Sequence, residues 1–321
     1  KDDSQPAPQR VAKSLFDNSE IVAETLRKGQ DSETFKPFPG VKPLDFYYCI
    51  ADFMSVDTTS ALYFFYGLPV RQMESRDSQV NYQWRVSFFD QRWNPAGQSS
   101  GDKTVRLERK PSQYDAGALL VHNHNLRLAP GKYNCTVSIQ DRISEHRGVY
   151  RDTISVADYP HGRFGVSSVV LATGGREAGD GPAGQFTRGR LNIDVLPSRT
   201  FRRAQPAYVY CEIYNLSADS AGGKNYRTEL TVSAEKLDQN LVTKIISPFG
   251  RLLGKKEDSH SVSMTFEKSQ TDPERMIQQE YISLGAGDSA PGRYTLRLTV
   301  TDLATGRQIS RASDFFIVKS D

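Results

Sequence analysis

Between Val41 and about Tyr159 nearly every stretch either alternates apolar and polar residues or runs through β-branched and aromatic ones, with turn-forming residues roughly every ten positions. This is strand spacing. It predicts strands over Asp45 to Met54, Ala61 to Leu68, Tyr82 to Phe89, Thr104 to Glu108, Leu119 to Leu128, Tyr133 to Asp141 and Val149 to Ala157. Such a set of short strands suits a two-sheet sandwich of the immunoglobulin kind. Asp158-Tyr159-Pro160-His161-Gly162 reads as a hinge. A second set then follows over Val166 to Ala172, Arg190 to Leu196, Tyr208 to Tyr214, Tyr226 to Ala234, Val262 to Glu267, Tyr281 to Leu284, Tyr294 to Thr301 and Ala312 to Val318.

Residues 1–40 break the pattern. They open on Gln5-Pro6-Ala7-Pro8-Gln9 and close on Phe35-Lys36-Pro37-Phe38-Pro39-Gly40. Between them, Ser19 to Lys28 carries Ile21, Val22, Thr25 and Leu26 at helical spacing, with Asp17 or Asn18 placed to cap it. One short amphipathic helix is marginal in water and must lie on something, its own domains or a partner. The expected fold class is therefore all-β: two tandem Ig-like/fibronectin-like antiparallel β-sandwiches, over residues 41–158 and 159–321, behind an extended arm over residues 1–40 that contains one short helix.

The phase of the alternation assigns faces. In Tyr208-Val209-Tyr210-Cys211-Glu212-Ile213-Tyr214, the residues Val209, Cys211 and Ile213 point one way and are expected in the core. Tyr208, Tyr210, Glu212 and Tyr214 point the other way, onto a partly solvated sheet face or a contact surface.

The two strand sets also share words. Ala129-Pro130-Gly131-Lys132-Tyr133, followed by Asp141, returns as Ala290-Pro291-Gly292-Arg293-Tyr294, followed by Asp302. Asn81-Tyr82-Gln83 opens one alternating run and Asn225-Tyr226-Arg227 another. The chain is a tandem duplication, with extra residues between these anchors in the second copy. Pro-Gly turns the chain at Gly131 and at Gly292, and the tyrosine that follows, Tyr133 or Tyr294, enters the next strand. Its ring can fill a sandwich corner while its hydroxyl bonds back to the backbone. Cys135 stands two residues after Tyr133, the spacing of an inter-sheet disulfide in antibody domains, and Cys49 is its possible mate in that domain. The second copy has Leu296 at the position of Cys135, which favours buried thiols there, and Cys211 reads as core.

The two-copy layout, the Ala-Pro-Gly-[Lys/Arg]-Tyr word with its trailing aspartate, and Tyr208 to Leu216 with its Glu-Ile-Tyr-Asn-Leu ending resemble the C-terminal β-sandwich region of bacterial GWxTD-domain proteins, over about residues 41 to 321. The Gly-Trp-x-Thr-Asp signature is absent, both tryptophans standing elsewhere as Trp84 and Trp93. The resemblance thus implies the sandwich portion without the signature domain. It implies an extracytoplasmic location, periplasmic or at the cell envelope, and supplies no active residues.

Charge narrows the partners. A net charge of +3 on 321 residues does not argue for nucleic acid. Arg188, Arg190, Arg199, Arg202 and Arg203 are the nearest approach to a basic patch, and they fit either a solvated domain edge or a docking patch. No apolar run is long enough to span a bilayer. The start at Lys1, without Met or a signal segment, is expected to be a processed or truncated terminus.

Candidate chemistry is sparse. Gly179-Asp180-Gly181-Pro182-Ala183-Gly184 matches a dinucleotide fingerprint, but Pro182 and a following strand replace the helix that receives a pyrophosphate, so a flexible loop is expected. His122 and His124 share one strand face without further ligands at metal-binding spacing, and a solvent-facing strand is expected. No catalytic constellation, metal or cofactor is expected. Trp93 falls at a hairpin tip, where its ring either folds back on the turn or offers a stacking surface to protein or sugar. The expectation is a non-enzymatic scaffold or accessory subunit of a larger, membrane-associated assembly, contacted partly through the arm, which needs a partner to order it. The alternative is a carbohydrate-binding module using Trp93 with Tyr208, Tyr210 and Tyr214.

Overall fold

A computed structural model describes residues 42–55, 59–115, 118–178, 186–234, 257–258, 261–270, 276–284 and 289–318. The arm with its helix at Ser19 to Lys28 and the loop Gly179 to Gly184 lie outside the described residues. The described residues form strands and two short 3-10 turns with no α-helix, so the fold is all-β. They cluster as two compact units, one of residues 42–52, 59–158 and 175–198, the other of residues 53–55, 159–174 and 199–318.

In the first unit the strands are β1 (Tyr47–Met54), β2 (Ser60–Pro69), β3 (Gln79–Phe89), β4 (Pro95–Arg106), β5 (Leu119–Leu128), β6 (Gly131–Asp141) and β7 (Arg147–Val156). They form a sheet ordered β1-β2-β5 and another ordered β4-β3-β6-β7, the strand partition of a fibronectin-like sandwich. Every second residue of β3 from Val80 to Phe88 is buried, and these side chains meet Phe64, Tyr66 and Leu68 of β2, Leu120 of β5, and Cys135, Val137 and Ile139 of β6 in one core. Burying each large side chain there stabilises the fold by about 1.5–3 kcal/mol.

Strand β4 begins at Pro95, well before the expected Thr104, and pairs along the whole of β3. Its Gly, Ser and Asp residues carry no apolar alternation, because an edge strand buries only one row of atoms. Close approach shapes the far edge of that sheet: a Cβ on Gly148 of β7 would lie 2.1 Å from the carbonyl oxygen of Leu44, so only glycine lets that segment run parallel beside Arg147.

The remaining strands are β8 (Gly165–Val166), β9 (Val170–Glu177), β10 (Phe186–Arg188), β11 (Leu191–Val195), β12 (Thr200–Arg202), β13 (Ala207–Tyr214), β14 (Lys224–Ala234), β15 (Glu257–Asp258), β16 (Ser261–Gln270), β17 (Ile277–Leu284), β18 (Gly292–Asp302) and β19 (Gln308–Val318). In the second unit β13 pairs with β8, β9 and β17, and the other sheet is ordered β12-β19-β18-β14-β16-β15. Strands β13, β14, β16, β17, β18 and β19 thus repeat the pairing of β2, β3, β4, β5, β6 and β7. The antiparallel β10–β11 hairpin clusters with the first unit, where Phe186 meets the rings of Tyr63 and Phe65 edge-on at 4.9 and 5.0 Å.

The anchors of the duplication are register partners. Tyr82 stands opposite Asp141 across β3 and β6, and Tyr226 opposite Asp302 across β14 and β18. Both aspartates are fully buried. One oxygen of Asp141 accepts the Ile143 N–H at 2.8 Å while the other accepts the Glu74 N–H at 2.7 Å. Asp302 does the same with Ala304 at 3.1 Å and Ser217 at 3.2 Å. Each carboxylate ties the turn that follows its strand to the loop between the unit's second and third sandwich strands.

Tyrosine hydroxyls close the opposite end. The Tyr133 hydroxyl donates to the Ala129 carbonyl at 2.8 Å and that of Tyr294 to Ala290 at 2.6 Å, each across its Pro-Gly turn. Gly131 has φ +156° and leaves 3.4 Å between a would-be Cβ and the Tyr133 ring, whereas Gly292 has more room at 3.7 Å from Tyr294.

Candidate interaction site

Trp93 stands on the turn between β3 and β4. Its φ of 66° puts a bulky residue in the left-handed region, where a side chain is strained. Asp90 holds the turn in that shape. Its Oδ1 accepts the N–H groups of Arg92 and Asn94, both at 2.8 Å, and its Oδ2 accepts the Asn94 side-chain amide at 2.8 Å. Its own N–H donates to the Asn94 carbonyl at 2.9 Å, and its carbonyl accepts the Trp93 N–H at 3.0 Å. These bonds, the Asn94 side chain foremost, hold the Asp90 carboxyl below the usual carboxylate range, so the turn is set by an ionised group at neutral pH.

The indole is 60% exposed. One edge leans on Phe89, with ring centroids 5.8 Å apart at 43°, and the rest faces solvent beside the exposed Gln91, Arg92 and Asn94. The turn is thus a rigid mount for an aromatic surface. Such pre-organised Trp and Arg side chains are the residues that dominate binding energy at protein interfaces.

The tyrosine face of β13 is different from the expectation. Tyr208 is half-buried and stacks on Tyr281 at 4.8 Å, but Tyr210 and Tyr214 have no exposed surface. Their hydroxyls each donate to the buried Glu212 carboxylate at 2.7 Å, and the Met54 N–H donates to the Tyr214 hydroxyl at 3.1 Å. From Val209 to Tyr214 both faces of this strand are interior, and the buried Glu212 carboxylate is satisfied by the hydroxyl donors enclosed with it. Tyr210 and Tyr214 are therefore framework and not contact surface.

The five arginines fall in separate units. In the first, Arg188 is half-buried over the Tyr63 ring at 5.8 Å and Arg190 is exposed. In the second, Arg199 and Arg203 are exposed and Arg202 is half-buried on β12.

His122 and His124 face the core and not solvent. Asn123, Asn125 and Arg127 take the outer face of β5, so the imidazoles lie against aromatic rings. His124 stacks on Trp84 with centroids 3.6 Å apart, and its Nε2 is 3.1 Å from the Tyr66 hydroxyl. Burial, and after it the charge of Lys103, hold its pKa down at about 4. The corresponding interior position of the second unit is Glu280, which accepts the Tyr226 hydroxyl and, at 2.5 Å, the ammonium of Lys268. Sequence reasoning missed Glu280 because its run, Gln278-Gln279-Glu280, has a polar surface look.

No group of three or more His, Cys, Asp or Glu able to hold a metal occurs among the described residues. Cys135 and Cys211 are buried, Cys49 is half-buried, and no disulfide joins any of them. Burial pushes the Cys135 thiol up to about 12 and the Cys211 thiol higher still, so both behave as small apolar side chains. No described helix is long and apolar enough to cross a membrane.

No family model matches the chain, and no curated protein matches it. Among solved structures, Escherichia coli alpha-2-macroglobulin activated by porcine elastase aligns with 86% of this chain at 11% identity and a TM-score of 0.25. The chain spans 24% of that protein's length. A likeness of that size carries no weight for function, and the class of protein rests on the fold itself: tandem Ig-like β-sandwiches.

Proposed function

We propose that this chain is a non-enzymatic interaction module, an accessory or scaffold subunit of a larger envelope or membrane-associated assembly. The observation that supports it is Trp93, held 60% exposed in a strained left-handed turn by the hydrogen bonds of Asp90. Strain kept at an exposed aromatic fits a docking point better than a packing role. The buried carboxylates Glu212 and Glu280 already have hydroxyl and ammonium partners, so they read as framework. An extracytoplasmic location belongs to the same proposal and rests on the resemblance to GWxTD-domain proteins. A carbohydrate-binding module is the second reading, with Trp93 and the half-buried Tyr208 left as its stacking residues, since Tyr210 and Tyr214 are interior.

The test is the size and composition of the native complex purified gently from the source organism, with wild type beside Trp93→Ala. A large complex that Trp93→Ala releases supports the module. Free chains in both samples, with glycan binding lost in Trp93→Ala, would replace it by the carbohydrate reading.

A further inference from the structure

The two copies differ at one surface position in a way that points to a ligand. In the first unit Arg142, the residue after the buried Asp141, donates from Nε to the Asp102 carboxylate at 2.9 Å. Asp102 lies on β4 opposite Gln83, and the equivalent of that pair in the second unit is Glu267 on β16 opposite Arg227. The equivalent of Arg142 is Leu303, the residue after Asp302. The main chain keeps its place in both: the Arg142 N–H donates to the Asn81 carbonyl at 2.8 Å and the Leu303 N–H to the Asn225 carbonyl at 3.0 Å.

Where the first copy lays its own guanidinium, the second has a cleft of about 370 Å³, lined by Asp219, Asn225, Glu267, Lys268, Leu303 and neighbours. Its walls are fixed. Asp302 clamps the Leu303 turn to the loop at Ser217, and Asp219 Oδ1 accepts the N–H groups of Ala221 at 2.9 Å and Gly223 at 2.8 Å. Lys268, which lines the cleft with its side chain 44% exposed, is paired with the buried Glu280 at 2.5 Å. Arg227 engages only Oε1 of Glu267, and Oε2 accepts no hydrogen bond from a described residue. Of the charged residues that line the cleft, Asp219 and Glu267 are acids and Lys268 is the cation.

We infer that this cleft of the second unit receives a guanidinium group, the side chain of an arginine on a protein partner, in the place that Arg142 occupies in the first unit. The planar fork of a guanidinium can bond to Glu267 Oε2 and an acceptor of the 219–225 loop together, while its methylene stem lies along the 38%-exposed Leu303. This deepens the interaction-module reading and rests on it for the source of the arginine.

The experiment uses the full chain and N-acetylarginine amide, followed by amide NMR, with N-acetylcitrulline amide as the neutral isostere. Saturable shifts at Ala221, Gly223 and Ala304 are expected with arginine and not with citrulline. Glu267→Gln should weaken binding by about tenfold or more, as the loss of a charge-assisted hydrogen bond does. Leu303→Arg supplies the first copy's own solution at an exposed site and should abolish the shifts. Equal shifts with citrulline, no saturation, or shifts that survive Leu303→Arg would overturn the inference. The Trp93→Ala comparison reads a different unit, so a native complex released by that variant beside a failed arginine titration ends this inference alone.

Discussion

Tyr82 and Asp141 face each other across β3 and β6, and Tyr226 and Asp302 repeat that relationship across β14 and β18. The two words of the duplication, far apart in sequence, are therefore one structural element in each sandwich. The aspartate side of that element fixes two loops at once, so one end of each sandwich is held by a single buried carboxylate.

Replacing either aspartate removes the acceptor of two part-buried N–H groups. Asp141→Ala and Asp302→Ala should each destabilise their unit by about 2 kcal/mol, the scale for hydrogen bonds to a charged group. Urea unfolding read in each unit checks this. A loss below about 0.5 kcal/mol, the range of neutral surface changes, would contradict the clamp.

Tyr133→Phe and Tyr294→Phe keep the rings and remove only the hydroxyl bonds to Ala129 and Ala290. Each should cost about 1 kcal/mol in the same unfolding assay. Because the two corners have the same geometry, a large effect in one and none in the other would show that the duplication is not energetic.

Much of this was legible in the chain. Alternation from Val80 to Phe88 marks β3, and the Pro-Gly-x-Tyr words mark both corners. What was not legible shares a cause: alternation reports one buried face and is silent about what covers the other. Tyr210 and Tyr214 alternate as an outer face and yet are enclosed around Glu212, and His122 and His124 look polar and yet lie among rings. Polar β4 gives no apolar signal over Pro95 to Lys103, although it pairs throughout. At the candidate site the sequence showed a tryptophan in a turn, but the left-handed backbone and the Asp90 bonds that present it emerge only in three dimensions.

His124 sets a pH dependence. Its pKa in the fold is about 4 against 6.5 for an unperturbed imidazole, so between those values the unfolded chain binds more protons than the folded one. The contribution is fully present above about 6.5 and is lost as pH falls toward about 4. His124→Phe keeps a ring against Trp84 and removes the titration, so the unfolding midpoint should vary less between those pH values than in wild type. An unchanged slope would contradict the assignment.

Trp93 offers a discriminating stability test. A left-handed non-glycine residue costs about 1–2 kcal/mol, and the exposed indole recovers little of it by burial. Trp93→Gly should leave stability unchanged or raise it by about 1 kcal/mol, as expected of a residue kept for binding. A clear loss of stability would assign the ring to packing on Phe89.

Acrylamide quenching of tryptophan fluorescence, in the isolated chain and in the native complex, reads directly whether Trp93 is the docking point. The chain has two tryptophans, and Trp84 is buried, so the quenchable emission belongs to Trp93. Strong quenching is expected in the free chain and protection in the complex. Quenching of equal strength in both would show that Trp93 is not where the partner docks.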